Sequence, residues 1–125
     1  MYNIEFYETS DGYSDVLIFL EELRQRTEQS KDARIQYQQL ARHIWLLQMN
    51  GTYLPKEIVK HLKQDIWELR PGHNRVFFFC FDNNTFVLLH HFRKKTRKTP
   101  RREIEQAISE MNDYLSRKGG HRELE

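Results

Sequence analysis

The sequence predicts an α+β domain of order β-α-α-β-β-β-α: an antiparallel sheet with an α-hairpin and a C-terminal helix packed on one face. Three observations predict it. A short alternating segment precedes two stretches with apolar residues at helical spacing. The period then switches to two across residues 64–92, and helical spacing returns after a strongly basic segment. At 125 residues the chain is expected to form one domain, residues 1–118, with a frayed tail at 119–125.

Taken in order, "YNIEFYE" sets Tyr2, Ile4 and Phe6 against Asn3 and Glu5, as in a half-buried strand. "TSDGYS" is a turn, and Ser14 is placed to cap the first helix. "DVLIFLEELRQRTEQ" lines Val16, Leu20 and Leu23 on one helical face. "KDARIQYQQLARHIWLLQMNG" does the same with Ala33, Tyr37, Leu40, Ala41, Ile44 and Leu47, and Asn50-Gly51 closes it. In "QDIWELR", Ile66, Glu68 and Arg70 alternate with Trp67 and Leu69. "PGHN" turns the chain into "RVFFFCF", apolar on both faces and therefore central. "DNNT" turns it again into "FVLLHHF". Thr99-Pro100 reads as an N-cap with proline at the first helical position. Ile104, Ala107, Ile108, Met111 and Leu115 then line the closing helix.

The formal net charge of +2 conceals a segregation. Seven of the ten residues from Arg93 to Arg102 are basic and none is acidic, so the rest of the chain sums to −5 (+2 less +7). A positive field that concentrated attracts phosphates, and nucleic-acid contact outweighs a merely solvated face because the block joins a strand to a capped helix. The single cysteine, Cys80, admits no internal disulfide, and its apolar neighbours predict a buried packing role. The acidic opening and the absence of a long apolar run predict a cytoplasmic protein with no membrane association.

Arg70 and Arg75 flank the "PGHN" turn, and Glu68 shares a face with Arg70. Hairpin geometry brings the end of the last strand beside the start of its neighbour, so Lys94 and Lys95 should converge with Arg75. An ion pair between Arg75 and Glu68 is the plainer alternative use of that arginine. His90 and His91 point to opposite faces of their strand. One is expected to pack on the core, the other to share the exposed face with the cations as a proton carrier. No spacing matches a zinc site, a phosphate-cradling glycine loop or a nucleophile elbow, so no cofactor is expected.

Residues 62–114 resemble the RelE-like toxins of type II toxin–antitoxin pairs, in particular the phage-derived HigB type. The match lies in Glu68-Leu69-Arg70, Arg75-Val76 with its aromatics, Leu88-Leu89-His90, then Phe92, Lys94, Lys95 and Thr96 before Lys98-Thr99-Pro100. His91 departs from the pattern, where the family often has a small residue. The resemblance implies a RelE/ParE-like fold and a metal-independent endoribonuclease that enters the ribosome and cleaves translated mRNA. The RNA 2′-hydroxyl would attack its own phosphate and leave a cyclic phosphate.

On that reading Arg75 and Lys95 stabilise the phosphorane charge, with Arg70 and Lys94 supporting them. Glu68, His91 or a lysine of lowered pKa moves protons. Phe92 either stacks a base or packs the core. Arg93, Arg97, Lys98, Arg101, Arg102 and His73 hold RNA. The implied partners are the ribosome with its mRNA, a HigA-type helix-turn-helix antitoxin, and operator DNA bound through the toxin–antitoxin complex. The α-hairpin of residues 14–50, or Tyr53 and Leu54, offers the antitoxin a surface. Two other readings compete: a ParE-type non-catalytic inhibitor of DNA gyrase, and a basic nucleic-acid-binding module.

Overall fold

The computed structural model describes residues 1–124, with side chains as far as Lys118. It contains β1 (Asn3–Phe6), α1 (Asp15–Gln25), α2 (Lys31–Asn50), β2 (Val59–Lys63), β3 (Ile66–Leu69), β4 (Asn74–Phe81), β5 (Thr85–Arg93) and α3 (Arg101–Leu124). The predicted fray at 119–125 lies outside the residues described in full. No helix among the described residues is long and apolar enough to cross a membrane.

The α+β class holds, with two corrections to the sheet. It has five strands in the order β1-β5-β4-β3-β2. The extra strand, β2, hid because its turn to β3 carries no glycine: Gln64 itself takes φ 52°, and Lys63 pairs with Ile66 across it. The sheet is also mixed, since β1 runs parallel to β5 while the remaining pairs are antiparallel.

A third correction concerns the layers. The α1–α2 hairpin covers one face, where Val16, Leu23, Ala33, Leu40 and Leu47 pack on Leu69, Val76, Phe78, Phe86 and Leu88. The closing helix covers the other face, where Ala107, Met111 and Tyr114 pack on Ile66, Phe77, Phe79, Val87 and Leu89. The physical reason was present in "RVFFFCF": a strand apolar on both sides needs cover on both sides. With both faces covered, the sheet is left open only along its rim. Burying Phe77 and Phe78 completely contributes roughly 1.5–3 kcal/mol each.

Helix ends explain two further differences. Ser30 caps α2, its Oγ accepting from the Ala33 N–H at 3.1 Å. Ser14 holds the extended N-cap conformation of α1, but its hydroxyl makes no capping bond and is buried without a partner. Gly51 ends α2 at φ +63°, with the Tyr2 ring 2.8 Å from where a Cβ would stand, so only glycine fits. Cys80 is exposed rather than buried, because it lies close to the β4–β5 turn formed by Asp82 and Asn83, both at positive φ.

One irregularity sets the phase of β5. Val76 pairs with His91 and Phe78 with Leu88, so Phe77 alone faces both Leu89 and His90. This bulge turns two successive side chains toward α3 and reverses the alternation beyond them.

Candidate nucleic-acid site

The candidate site is built where β3 ends, β4 begins and β5 ends. Arg70, Pro71, Gly72 and His73 connect the first two. Gly72 sits at φ +63° with the Gln39 Oε1 of α2 filling the space where a Cβ would stand, so glycine allows the close approach of helix and turn. Asn74 Nδ2 donates to Gln36 Oε1 at 2.9 Å, a second tie to α2. The Lys94 backbone N–H donates to the His73 carbonyl at 2.8 Å and draws the end of β5 against the turn.

Beneath this rim lies Glu68, with a side chain only 1 % exposed. Its Oε2 is 3.5 Å from Arg70 Nε and 3.9 Å from Arg75 Nε, and its Oε1 accepts from the Thr99 hydroxyl at 2.8 Å. Arg75 Nη1 donates to the carbonyls of Gly72 and Asn74, both at 2.8 Å, and Arg70 Nη1 donates to the Lys56 carbonyl at 2.8 Å. Both arginines are therefore fixed by backbone carbonyls and face one shared carboxylate. Their Nε atoms are buried without a hydrogen-bond partner, because the ion pairs to Glu68 are long. The expected cap at Thr99 is corrected here. Its hydroxyl goes to Glu68, and the Pro100 carbonyl accepts the first helical bonds of α3, from Glu103 and Ile104.

An open basin of about 430 Å³ above Glu68 is lined by His73, Arg75, Lys94, Lys95, Thr96 and Arg97. Arg75, Lys94 and Lys95 thus come together as the hairpin geometry predicts. Desolvation lowers the pKa of Lys94, and the charges of Arg75, Arg70 and Lys60 push the same way against the opposing pull of Glu68. Desolvation likewise lowers that of Arg75, with Glu68 opposing and Arg70 assisting. The arrangement holds three cations, Arg70, Arg75 and Lys94, around a single carboxylate, and so keeps surplus positive charge for an anionic guest.

The remaining predicted residues divide around this basin. Phe92, Arg93, Lys95, Thr96, Pro100, Arg102 and Glu103 line a neighbouring pocket of about 400 Å³. Lys98 is exposed on the loop, its carbonyl accepting from the Thr96 hydroxyl at 2.8 Å. Arg101 turns to Glu105 one helical turn on, at 2.9 Å.

The two histidines face opposite sides and His90 takes the core position, as expected, but His91 does not join the cations. The bulge sends His90 toward α3, where it is 2 % exposed between Glu110 (Nδ1 to Oε1, 2.6 Å) and Glu103 (Nε2 to Oε1, 3.0 Å). His91 turns to the opposite side, stacked on Phe19 at 3.8 Å with Nδ1 2.5 Å from Asp15 Oδ1. Asp15 also accepts from the His91 backbone N–H at 2.8 Å. Sequence reasoning missed Asp15, Glu103 and Glu110, and it assigned Thr99 only a cap, because no local pattern reveals partners up to 76 positions away.

The family described as "Phage derived protein Gp49-like (DUF891)" matches residues 21–112, most of this chain. The chain belongs to the Gp49-like family. That membership agrees with the phage-derived, RelE-like assignment drawn from the motifs between residues 62 and 114. The Gp49-like chain is also similar to one in the crystal structure of the heterotetrameric YoeB-YefM toxin-antitoxin complex from Staphylococcus aureus. The two share 15% identity over 77% of this chain and 99% of that one, with a TM-score of 0.45. None of the curated proteins compared with it matches.

Proposed function

We propose that this Gp49-like protein is the toxin of a type II toxin–antitoxin pair, acting in the cytoplasm as a ribosome-dependent mRNA endoribonuclease that uses neither metal nor cofactor. A HigA-type antitoxin restrains it, and the pair binds operator DNA. The observation that carries the reading is the meeting of Arg75, Lys94 and Lys95 on one basin over a buried carboxylate. The family membership supports a RelE-type toxin, and the RelE-like motifs between residues 62 and 114 favour this reaction class.

The chemistry follows from the charges. A phosphodiester in the basin places its oxygens against Arg75 and Lys95, which offset the negative charge that grows as the 2′-oxygen bonds to phosphorus. Lys94, its pKa lowered by desolvation and its cationic neighbours, takes the 2′-hydroxyl proton. Lys95, exposed at the rim, returns a proton to the departing 5′-oxygen. The products are a 2′,3′-cyclic phosphate and a free 5′-hydroxyl. Glu68 lies too deep to meet substrate and acts by holding Arg70 and Arg75 in place. The test is cleavage of mRNA on translating ribosomes. Wild type should cut it, and Arg75→Ala should lose about 10²–10³-fold in rate with its circular dichroism unchanged. Intact mRNA together with blocked gyrase supercoiling would replace this reading with the ParE-type one.

A further inference from the structure

The pocket beside the basin has a composition that phosphate binding does not require. Arg93, Lys95 and Arg102 supply charge, but Phe92 and Pro100 add apolar wall and Glu103 adds a carboxylate, which repels a phosphate. The Phe92 ring is half-buried and backed by Phe77 at 5.4 Å, so one aromatic surface is held rigidly at the pocket. Glu103 is held as firmly. His90 Nε2 lies 3.0 Å from its Oε1, and His90 is itself anchored by Glu110. An imidazole whose two nitrogens both meet carboxylates donates from both, which keeps Glu103 oriented. Among the described residues no hydrogen-bond partner meets Glu103 Oε2, and the side chain is 18% exposed. The two cavities share Lys95 and Thr96 in their walls and so lie side by side.

We propose that this pocket is a base-reading subsite, in which the nucleotide adjoining the phosphate in the basin stacks on Phe92 and presents an amino group to Glu103. The inference rests on the nucleic-acid reading of the basin and adds selectivity to it. An ionised carboxylate accepts from the amino groups of cytosine, adenine or guanine. Guanine suits it best, offering two donors on one edge. Uracil has no amino group, and the carbonyls flanking its single N–H face the carboxylate with like partial charge. Stacking on Phe92 is indifferent to base identity and contributes to binding of all four. The surrounding cations hold the backbone without reading it.

The probes are single-stranded 2′-O-methyl trinucleotides that differ only in one base, titrated into the full chain at low salt by fluorescence anisotropy. Wild type should bind the guanine-, adenine- and cytosine-bearing probes about tenfold more tightly than the uracil one. Glu103→Gln should erase that difference, since an amide both donates and accepts. Phe92→Leu should weaken all four alike. Glu110→Gln loosens His90 and with it the orientation of Glu103 while leaving the Glu103 carboxylate in the pocket, so it should weaken the ranking less than Glu103→Gln does. Equal affinities in wild type, no binding of any probe, or the same loss of ranking in Glu110→Gln as in Glu103→Gln each overturns the subsite. The 2′-O-methyl group blocks cleavage, so discrimination by a protein that never cuts mRNA would sink the nuclease reading alone. Cleavage by a protein that binds all four probes equally would sink the subsite alone.

Discussion

The Thr99 hydroxyl donates to Glu68 Oε1 at 2.8 Å, and this bond ties the loop before α3 to the carboxylate beneath the arginines. Thr99→Val removes the donor, keeps the shape and leaves a buried carboxylate oxygen without its partner, at a cost of about 1–3 kcal/mol. Chemical denaturation should register that loss. Because the same loop carries Lys95, mRNA cleavage should fall further than stability alone accounts for. Unchanged cleavage would mean that the loop needs no anchor.

Among the described residues, Glu68 is the sole carboxylate paired with Arg70 and Arg75. Glu68→Ala leaves two partly buried guanidiniums facing each other, and breaking such a pair typically costs about 3–5 kcal/mol. Glu68→Gln should be less damaging. The urea midpoints of the two variants check the order, and a stable Glu68→Ala protein would contradict the counterion role.

The cleavage rate should rise with pH as Lys94 loses its proton. Its pKa is lowered, so the rise should level off below the ordinary lysine value of about 10.4. Lys94→Arg, which cannot deprotonate in this range, should remove that limb from the pH–rate profile. A limb that survives the substitution would transfer the proton to another group.

Stability should decline toward alkaline pH through His90. Burial alone would lower its pKa, but the hydrogen bonds and charges of Glu110 and Glu103 outweigh burial and raise it. A raised folded pKa binds protons more tightly in the native state. The contribution is therefore complete below the unfolded value, about 6.5, and disappears as pH climbs through the higher folded value. Melting temperatures between pH 6 and pH 9 should fall, and Glu110→Gln should flatten the slope. A flat wild-type profile would deny the charged histidine.

His91→Ala should act on stability rather than on chemistry. It strips Asp15 of its ring partner and Phe19 of a stacked neighbour, both on the α1 side. A loss of about 1–3 kcal/mol is expected, with mRNA cleavage by the remaining folded protein preserved. Desolvation alone would raise the pKa of Asp15, but its hydrogen bonds to His91 outweigh burial and lower it. Its contribution therefore exists above the unfolded value and vanishes on acidification. The variant should consequently show a shallower acid limb. Complete inactivity of a folded His91→Ala protein would return the residue to the reaction.

Much of this was legible in the residues. Ala33, Leu40 and Leu47 announced α2 through spacing, and all three are wholly buried. The convergence of Arg75 with Lys94 and Lys95 followed from hairpin geometry, because neighbouring strand ends are local consequences of one turn. β2 was not legible, since "VKHLK" is mostly polar and its turn lacks the usual glycine. His91 was misplaced for a different reason. Alternation rightly set His90 and His91 on opposite faces, but the face given to the cations is covered there by Asp15 and Phe19 of α1. Cover over both faces was foretold by β4 but required knowing that α3 crosses to the far side.

That extra residue in β5 has an implication for how such a chain can change. Deleting His90 by a single codon would leave Leu89 alone opposite Phe77 and restore perfect alternation, with His91 still opposite Val76, Phe92 opposite Arg75 and Arg93 opposite Asn74. What would go is the imidazole between Glu103 and Glu110, leaving those two carboxylates with no group to join them. At this point of the sheet length is the tolerant variable, and the identity of the extra residue is the inherited constraint.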